Sequence, residues 1–322
     1  MRNFLLCLIM LPLITFAHPG IGIVQDSKGN IYYTDLQQVW RIAKDGSKSV
    51  VVKNVHTHEL YMDAADNLFG EHLWYNGEKV DTWGHYVWCL KNNGILDTVI
   101  KPSTGFLINY SFVRDDAGNM YWVERSAVSQ FKKKYPDGRI ETIAEGKFKD
   151  IRWMYVTVNG IVYFIDYHDL YKLDINGKFI IVAKDITQRS AGVTPMNGDR
   201  HSLFGIWTDK NENIYLASYS GRVVKQISQT GEIKDMVYST LPWAPTGGLF
   251  DKDGNLWVLE ASVTNAVRVR KVSKKDIGLQ KTSLYNANIF PIILSLGFLI
   301  LLGGIAWFIK SLKHFTNGVP QI

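Results

Sequence analysis

Short runs of β-branched and aromatic residues separated by Asp, Asn and Gly fill most of the chain, and one ten-residue phrase keeps returning. Its clearest form is Asp251-Lys252-Asp253-Gly254-Asn255-Leu256-Trp257-Val258-Leu259-Glu260. Asp26 to Asp35 and Asp115 to Glu124 repeat it closely, Asp63 to His72 and Asp209 to Ser218 more loosely. A worn copy runs from Thr157 to Asp166, with the leading Asp lost and the turn pair displaced. Each phrase reads as a turn opened by Asp, a Gly or Asn where positive φ is needed, and then a strand. A second hairpin follows each one, as where Val39-Trp40-Arg41-Ile42 turns through Lys44-Asp45-Gly46 into Val50-Val51-Val52.

Every unit therefore offers four short antiparallel strands. Residues 21–278 make 258 residues, or 43 for each of six units. That period and copy number predict an all-β fold, a six-bladed β-propeller. The last unit has a third strand at Val267 to Val272 and a poor fourth, so residues from the two ends of the propeller are expected to complete one closing blade and leave no open edge.

The termini follow a different pattern. Met1 to Ala17 carries Arg2, an apolar run from Phe4 to Phe16, and small residues at Thr15 and Ala17, which together read as a secretory signal peptide ending at residue 17. Ile289 to Ile309 is 21 residues without a charge, long enough for a transmembrane helix, and Lys310, Lys313 and His314 follow at once. The positive-inside bias puts residues 310–322 in the cytoplasm as a short tail and the propeller, residues 18–280, on the extracytoplasmic side of a single-pass membrane protein.

Composition adds little. Of two cysteines, Cys7 lies in the signal segment and Cys89 in the apolar strand Val87-Trp88-Cys89-Leu90, so no disulfide is available and Cys89 reads as packing. The formal charge of +6 falls by three once Arg2, Lys310 and Lys313 are set aside. That balance gives no reason to expect nucleic acid as a partner, and Lys132-Lys133-Lys134 reads as a solvated strand end.

The phrase also aligns upstream of its Asp. His18-Pro19-Gly20-Ile21-Gly22-Ile23-Val24-Gln25-Asp26 matches His201-Ser202-Leu203-Phe204-Gly205-Ile206-Trp207-Thr208-Asp209 position for position, and Pro245 to Asp251 matches their second halves. On these residues the chain resembles the NHL-repeat and streptogramin-lyase-like propellers and, more distantly, the senescence-marker/gluconolactonase group, over residues 18 to about 275. The resemblance implies a ligand site on the face where innermost strands begin and second strands end. It does not choose between lyases, lactone hydrolases and binding modules.

Candidate chemistry gathers on that rim. Counting five residues on from the repeat Asn gives Asp35, His72, Glu124, Ser218 and Glu260, with Asp166 in the equivalent place. Asp35 and Asp166 read first as caps of the loops that follow them. His18, His56, His58 and His201 fall where the chain enters innermost strands, and His85 lies in the second unit's rim loop. Imidazoles facing carboxylates suit a divalent metal ion as cofactor, and the expected ligands are His72, Glu124, Glu260 and His18. His58 and His201 are the expected acid–base groups. Arg125, Arg152 and Trp83 are the expected substrate contacts, Trp83 from a rim loop over Leu73 to Tyr86. A loop over Asp185 to Arg200 has the composition of a lid. Two functions follow: a metal-assisted lyase or hydrolase of a small molecule, or a non-catalytic propeller binding a glycan, a peptide or a partner protein at the membrane.

Overall fold

The computed structural model describes residues 19–187, 202–262 and 264–279. The expected signal segment, transmembrane stretch and tail, with His18, His201 and most of the expected lid, lie outside these residues. Among the described residues no helix is long and apolar enough to cross a membrane.

Six antiparallel sheets follow one another in chain order. The first is built from β1 (Ile23–Gln25), β2 (Ile31–Thr34), β3 (Gln38–Ile42) and β4 (Lys48–Lys53), and the second from β5 (Leu60–Met62), β6 (Leu68–Tyr75), β7 (Trp83–Leu90) and β8 (Leu96–Thr104). The third has β9 (Met120–Glu124), β10 (Ser129–Lys134) and β11 (Ile140–Gly146); the fourth has β12 (Ile151–Val156), β13 (Val162–Asp166), β14 (Asp169–Leu173) and β15 (Phe179–Ala183). β16 (Leu203–Thr208), β17 (Ile214–Ser218), β18 (Val223–Ile227) and β19 (Ile233–Tyr238) form the fifth; β20 (Trp243–Phe250), β21 (Leu256–Ser262) and β22 (Val267–Val272) form the sixth. Within each sheet the strands lie in sequence order, so every blade is a meander.

The repeated phrase is a hydrogen-bonded unit. Asp26 Oδ1 accepts from the amides of Lys28 at 3.0 Å and Asn30 at 2.8 Å, while Oδ2 accepts from Asn30 Nδ2 at 2.6 Å and Tyr32 OH at 3.2 Å. Asp209 holds Asn211, Asn213 and Tyr215 in the same way, and Asp251 holds Asn255 and the Trp257 indole. In these copies the Asp, the Asn and the aromatic act together, whereas the second copy closes its turn with Asp63 and Asn67 alone. Gly29 and Gly254, at φ +90° and +81°, supply the left-handed turn residue, and in the worn copy Thr157 Oγ1 takes the place of the Asp by accepting from Ile161 N. These turns also clasp neighbouring blades: Ser27 donates its amide and hydroxyl to Asp66 at 2.7 and 2.5 Å, and Lys252 Nζ donates to Ser27 O at 2.9 Å.

Apolar side chains fill the seams between blades. Ile23, Ile31, Tyr33 and Ile42 of the first blade pack with Leu259, Leu249, Trp257, Val267 and Val269 of the sixth. This seam corrects the expected closure. The first blade is complete in chain order, the sixth ends on β22, and among the described residues no strand from the N-terminal end joins it. Apolar packing and the Lys252 clasp close the circle. Two sheets also have three strands rather than four. In the third blade the innermost position shrinks to one bridge, Arg114 with Met120, because the Val113 amide donates to Ser111 Oγ and turns the backbone away from ladder pairing. The expected rim loop from Leu73 to Tyr86 is instead an extended hairpin, with β6 and β7 paired out to Tyr75 opposite Trp83.

Candidate functional site

The innermost strands approach closely on one side of the central channel, and glycine permits it. Four residues before the repeat Asp stand Gly22, Gly205 and Gly247 in blades one, five and six. A Cβ on Gly22 would meet Leu60 N at 2.9 Å, one on Gly205 would meet Thr246 O at 2.9 Å, and one on Gly247 would collide with Ile21 O. In each case the neighbour is the innermost strand of the next blade. The same position in blade two is Glu59. Where blades one, five and six admit no side chain, and blades three and four carry Ser111 and Trp153, blade two puts a carboxyl group on the seam with blade three, the blade whose innermost strand has shrunk.

The segment before Glu59 is pinned by blade two itself. The His56 amide donates to His72 Nδ1 at 2.9 Å, Thr57 Oγ1 donates to Glu71 O at 2.5 Å, and the His58 amide donates to Glu71 Oε1 at 2.7 Å. The His58 carbonyl accepts from the amides of Ile21 and Gly22, both at 2.9 Å, which ties the segment to blade one. Glu71 is only 4% exposed, and its Oε2 is buried with no hydrogen-bond partner among the described residues. His58 Nδ1 lies 3.6 Å from Glu71 Oε1, and the His56 ring meets the His58 ring edge-on at 4.7 Å.

Electrostatics follow from this crowding. Burial and then the neighbouring Glu71 push the Glu59 carboxyl up from 4.5 to about 7, against the pull of Arg125. Glu59 is one of the residues that line the channel cavity. Burial lowers the His56 and His72 imidazoles, and His58 lowers His56 further. His72 Nδ1 accepts a hydrogen bond, so that nitrogen carries no proton.

Of the residues expected from sequence, the structure gathers His58 and His72 beside Glu59 and Glu71, with Arg125 as an electrostatic neighbour. Arg152 Nε donates to Asp150 Oδ2 at 2.8 Å and is held by that pair. Glu124 is exposed and sits 3.5 Å from Lys132 Nζ on the paired strand. Glu260 is fully buried between blades five and six, accepting from Ser239 Oγ at 2.5 Å, Arg268 Nε at 2.6 Å and Arg270 Nη2 at 3.0 Å. Trp83 stacks in the extended hairpin, 5.3 Å from Tyr75 and 6.1 Å from Phe106. Asp35 and Asp166 cap loops, Asp35 accepting from Gln37 N, Gln38 N and the Trp40 indole, Asp166 from Asp150 N. Cys89 is buried packing.

Of the expected divalent-metal ligands, the three among the described residues, His72, Glu124 and Glu260, do not converge. His72 is stacked between Trp74 and Tyr86, Glu124 serves Lys132, and Glu260 neutralises two arginines in another seam. Among the described residues no group of three or more His, Cys, Asp or Glu side chains comes together to hold an ion. The side chains that do converge, Glu59 and Glu71, escaped the sequence reading. Their signal was present: Glu71 stands where the other copies have Thr34, Val123, Ile165, Ala217 and Leu259, and Glu59 stands where three copies have glycine.

Innermost segments of all six blades enclose a cavity of about 420 Å³, reaching from Glu59 past Tyr61 and Tyr155 to Gln25, Arg114 and Thr208. With six meander sheets around one channel, the architecture is decided. The chain is a six-bladed β-propeller. Its fold is similar to that of the calcium-binding protein regucalcin from Agrobacterium tumefaciens, with a TM-score of 0.51, 13% identity, and coverage of 76% of this chain and 83% of that one. A glucose dehydrogenase gives a TM-score of 0.51 at 10% identity over 80% of this chain and 96% of its own. Virginiamycin B lyase from Staphylococcus aureus gives 0.42 at 13% identity over 80% and 86%. Identities this low speak for the fold alone. No family model and no curated protein matches the sequence. The propeller's chemistry therefore rests on its own residues.

Proposed function

We propose that the propeller binds a small molecule in its central cavity and acts on it by general acid–base chemistry at Glu59 and Glu71, as a lyase or hydrolase. The observation that carries this is the Glu59 carboxyl, raised to about 7 beside a second buried carboxyl group. A group half protonated at neutral pH can both give and take a proton. Two carboxyl groups in different surroundings are the usual arrangement for dividing acid and base roles. Glu71, fixed by two backbone amides, keeps Oε2 without a protein partner, and His58 at 3.6 Å offers a route for the proton to leave the pair. A cavity of about 420 Å³ suits a small ligand. Selective ¹³C labelling of glutamate carboxyls tests the reading: Glu59 should titrate with a midpoint near 7, and that resonance should vanish in Glu59→Gln. A midpoint below 5 would remove the acid from the mechanism.

A binding role has its own support in the extended hairpin of blade two. Tyr75, Trp83 and Phe106 form an exposed stacked ladder there, of the kind that meets a glycan or a partner protein.

We further propose that the propeller is exported and tethered by the apolar stretch Ile289 to Ile309. Its length and the lysines that follow it support this orientation. Protease added outside intact spheroplasts should then digest the propeller and leave a small fragment containing residues 290–322. Protection of the propeller would reverse the orientation.

A further inference from the structure

We infer that the cavity selects a small organic anion, a carboxylate or phosphate carried on a short apolar body, and that Arg114 binds its charged head. This rests on the cavity being the ligand site, and not on its acid–base chemistry. Residues immediately before the repeat turn form a tier at one end of the cavity: Gln25, Met62, Arg114, Val156, Thr208 and Phe250. Arg114 is the sole cation of that tier.

Its surroundings are unusual for an arginine. The guanidinium carbon lies 4.7 Å from the Tyr61 ring centre, 5.1 Å from Tyr110 and 5.6 Å from Phe69, a cage supplied by the seam between blades two and three. Nη2 donates to Tyr110 OH at 2.8 Å and Nε to Ser111 O at 3.4 Å. Among the described residues no carboxylate lies within ion-pair distance of it, and Nη1 makes no hydrogen bond. Aromatic faces position a guanidinium without neutralising it. A half-buried, positioned cation without an ion-pair partner on a cavity wall is a site for a charged ligand group, because the pairing is charge-assisted and needs little reordering.

The spacing fixes the ligand's shape. Glu59 stands three residues from Met62, the blade-two member of the tier, so about 10 Å of strand separates the two ends. Val113, Ile206 and Leu249 line the wall between. An anion seated at Arg114 therefore places an apolar body in the middle and its far end at Glu59.

Titration of the full chain in non-ionic detergent with butyrate, butanol and butylamine, followed by calorimetry, tests this. Butyrate should bind and the other two should not. Arg114→Gln should weaken butyrate binding roughly tenfold or more, and Arg114→Lys should keep part of it. Butyrate is too short to reach Glu59 from Arg114 across about 10 Å of strand, so Glu59→Gln should leave its binding in place, which separates this inference from the acid–base reading: butyrate binding that depends on Arg114 in a protein whose Glu59 titrates below 5 would sustain the anion site alone. Equal binding of butanol or butylamine, absence of butyrate binding, or wild-type affinity in Arg114→Gln with an unchanged circular dichroism spectrum would overturn it.

Discussion

Replacing Arg268 and Arg270 together by alanine should destabilise the protein by about 3–5 kcal/mol, the usual cost of leaving a buried charge without its partner. Glu260 has no exposed surface, and the two guanidinium groups supply three of the four hydrogen bonds its carboxylate receives from side chains. Without them only Ser239 remains. The reverse change, Glu260→Ala, should cost less, since the Arg268 and Arg270 side chains are 33% and 25% exposed and can turn toward solvent. Urea midpoints of the two variants measure the asymmetry. If Glu260→Ala proves the more damaging, the burial cost does not lie on the carboxylate. The cluster joins blades five and six, because Arg270 Nη2 also donates to Tyr238 O at 3.0 Å. The expected result is thus a loosened seam, and Glu260 belongs to the scaffold.

Glu59→Gln should make the propeller more stable than the wild type at pH 8 and narrow that advantage toward pH 5. A carboxyl raised from 4.5 to about 7 by folding holds its proton more tightly in the folded state. Below 4.5 both states are protonated and the group imposes no penalty. As pH climbs from 4.5 through 7 the folded state alone resists ionisation, so stability falls; above 7 the full cost of a charged, crowded Glu59 is present. A shift of that size amounts to roughly 3 kcal/mol. Glutamine has no charge to bury, so the difference between the two proteins isolates this group from every other titration. Thermal midpoints at pH 5 and pH 8 read it directly, and parallel pH profiles would mean that Glu59 is solvated. Loss of stability on ionisation is what a site accepts when it keeps an acid ready at neutral pH.

The two results would sort rim carboxylates that look alike in the sequence. Glu260, Glu124, Asp35 and Asp166 occupy equivalent places in the repeat, yet Glu260 neutralises two arginines, Glu124 meets Lys132 at the surface, and the two aspartates cap loops. Glu71, one position earlier in its strand, faces the crowded seam instead.

The turn phrase by itself determined the fold. In four copies Asp, Asn and a Tyr or Trp at fixed spacing close one hydrogen-bonded unit, Asp63 and Asn67 close it without the aromatic bond and Thr157 stands in for the Asp, so six recurrences imply six meander blades without knowledge of any long-range contact. Burial of Cys89, the cap at Asp35 and the place of His58 on the rim were legible from local sequence, whereas Asp166 holds the Asp150 amide sixteen residues upstream rather than its own following loop. The closure, the shrunken third blade and the meeting of Glu59 with Glu71 were decided by the tertiary structure. Whether a side chain at the glycine position faces a neighbour's backbone or an open cavity depends on how far apart two blades stand, and that distance is set by the packing of both. Equivalent repeat positions share backbone geometry and differ in their neighbours. A carboxylate's partner, and with it its charge and its role, comes from the adjoining blade rather than from its own.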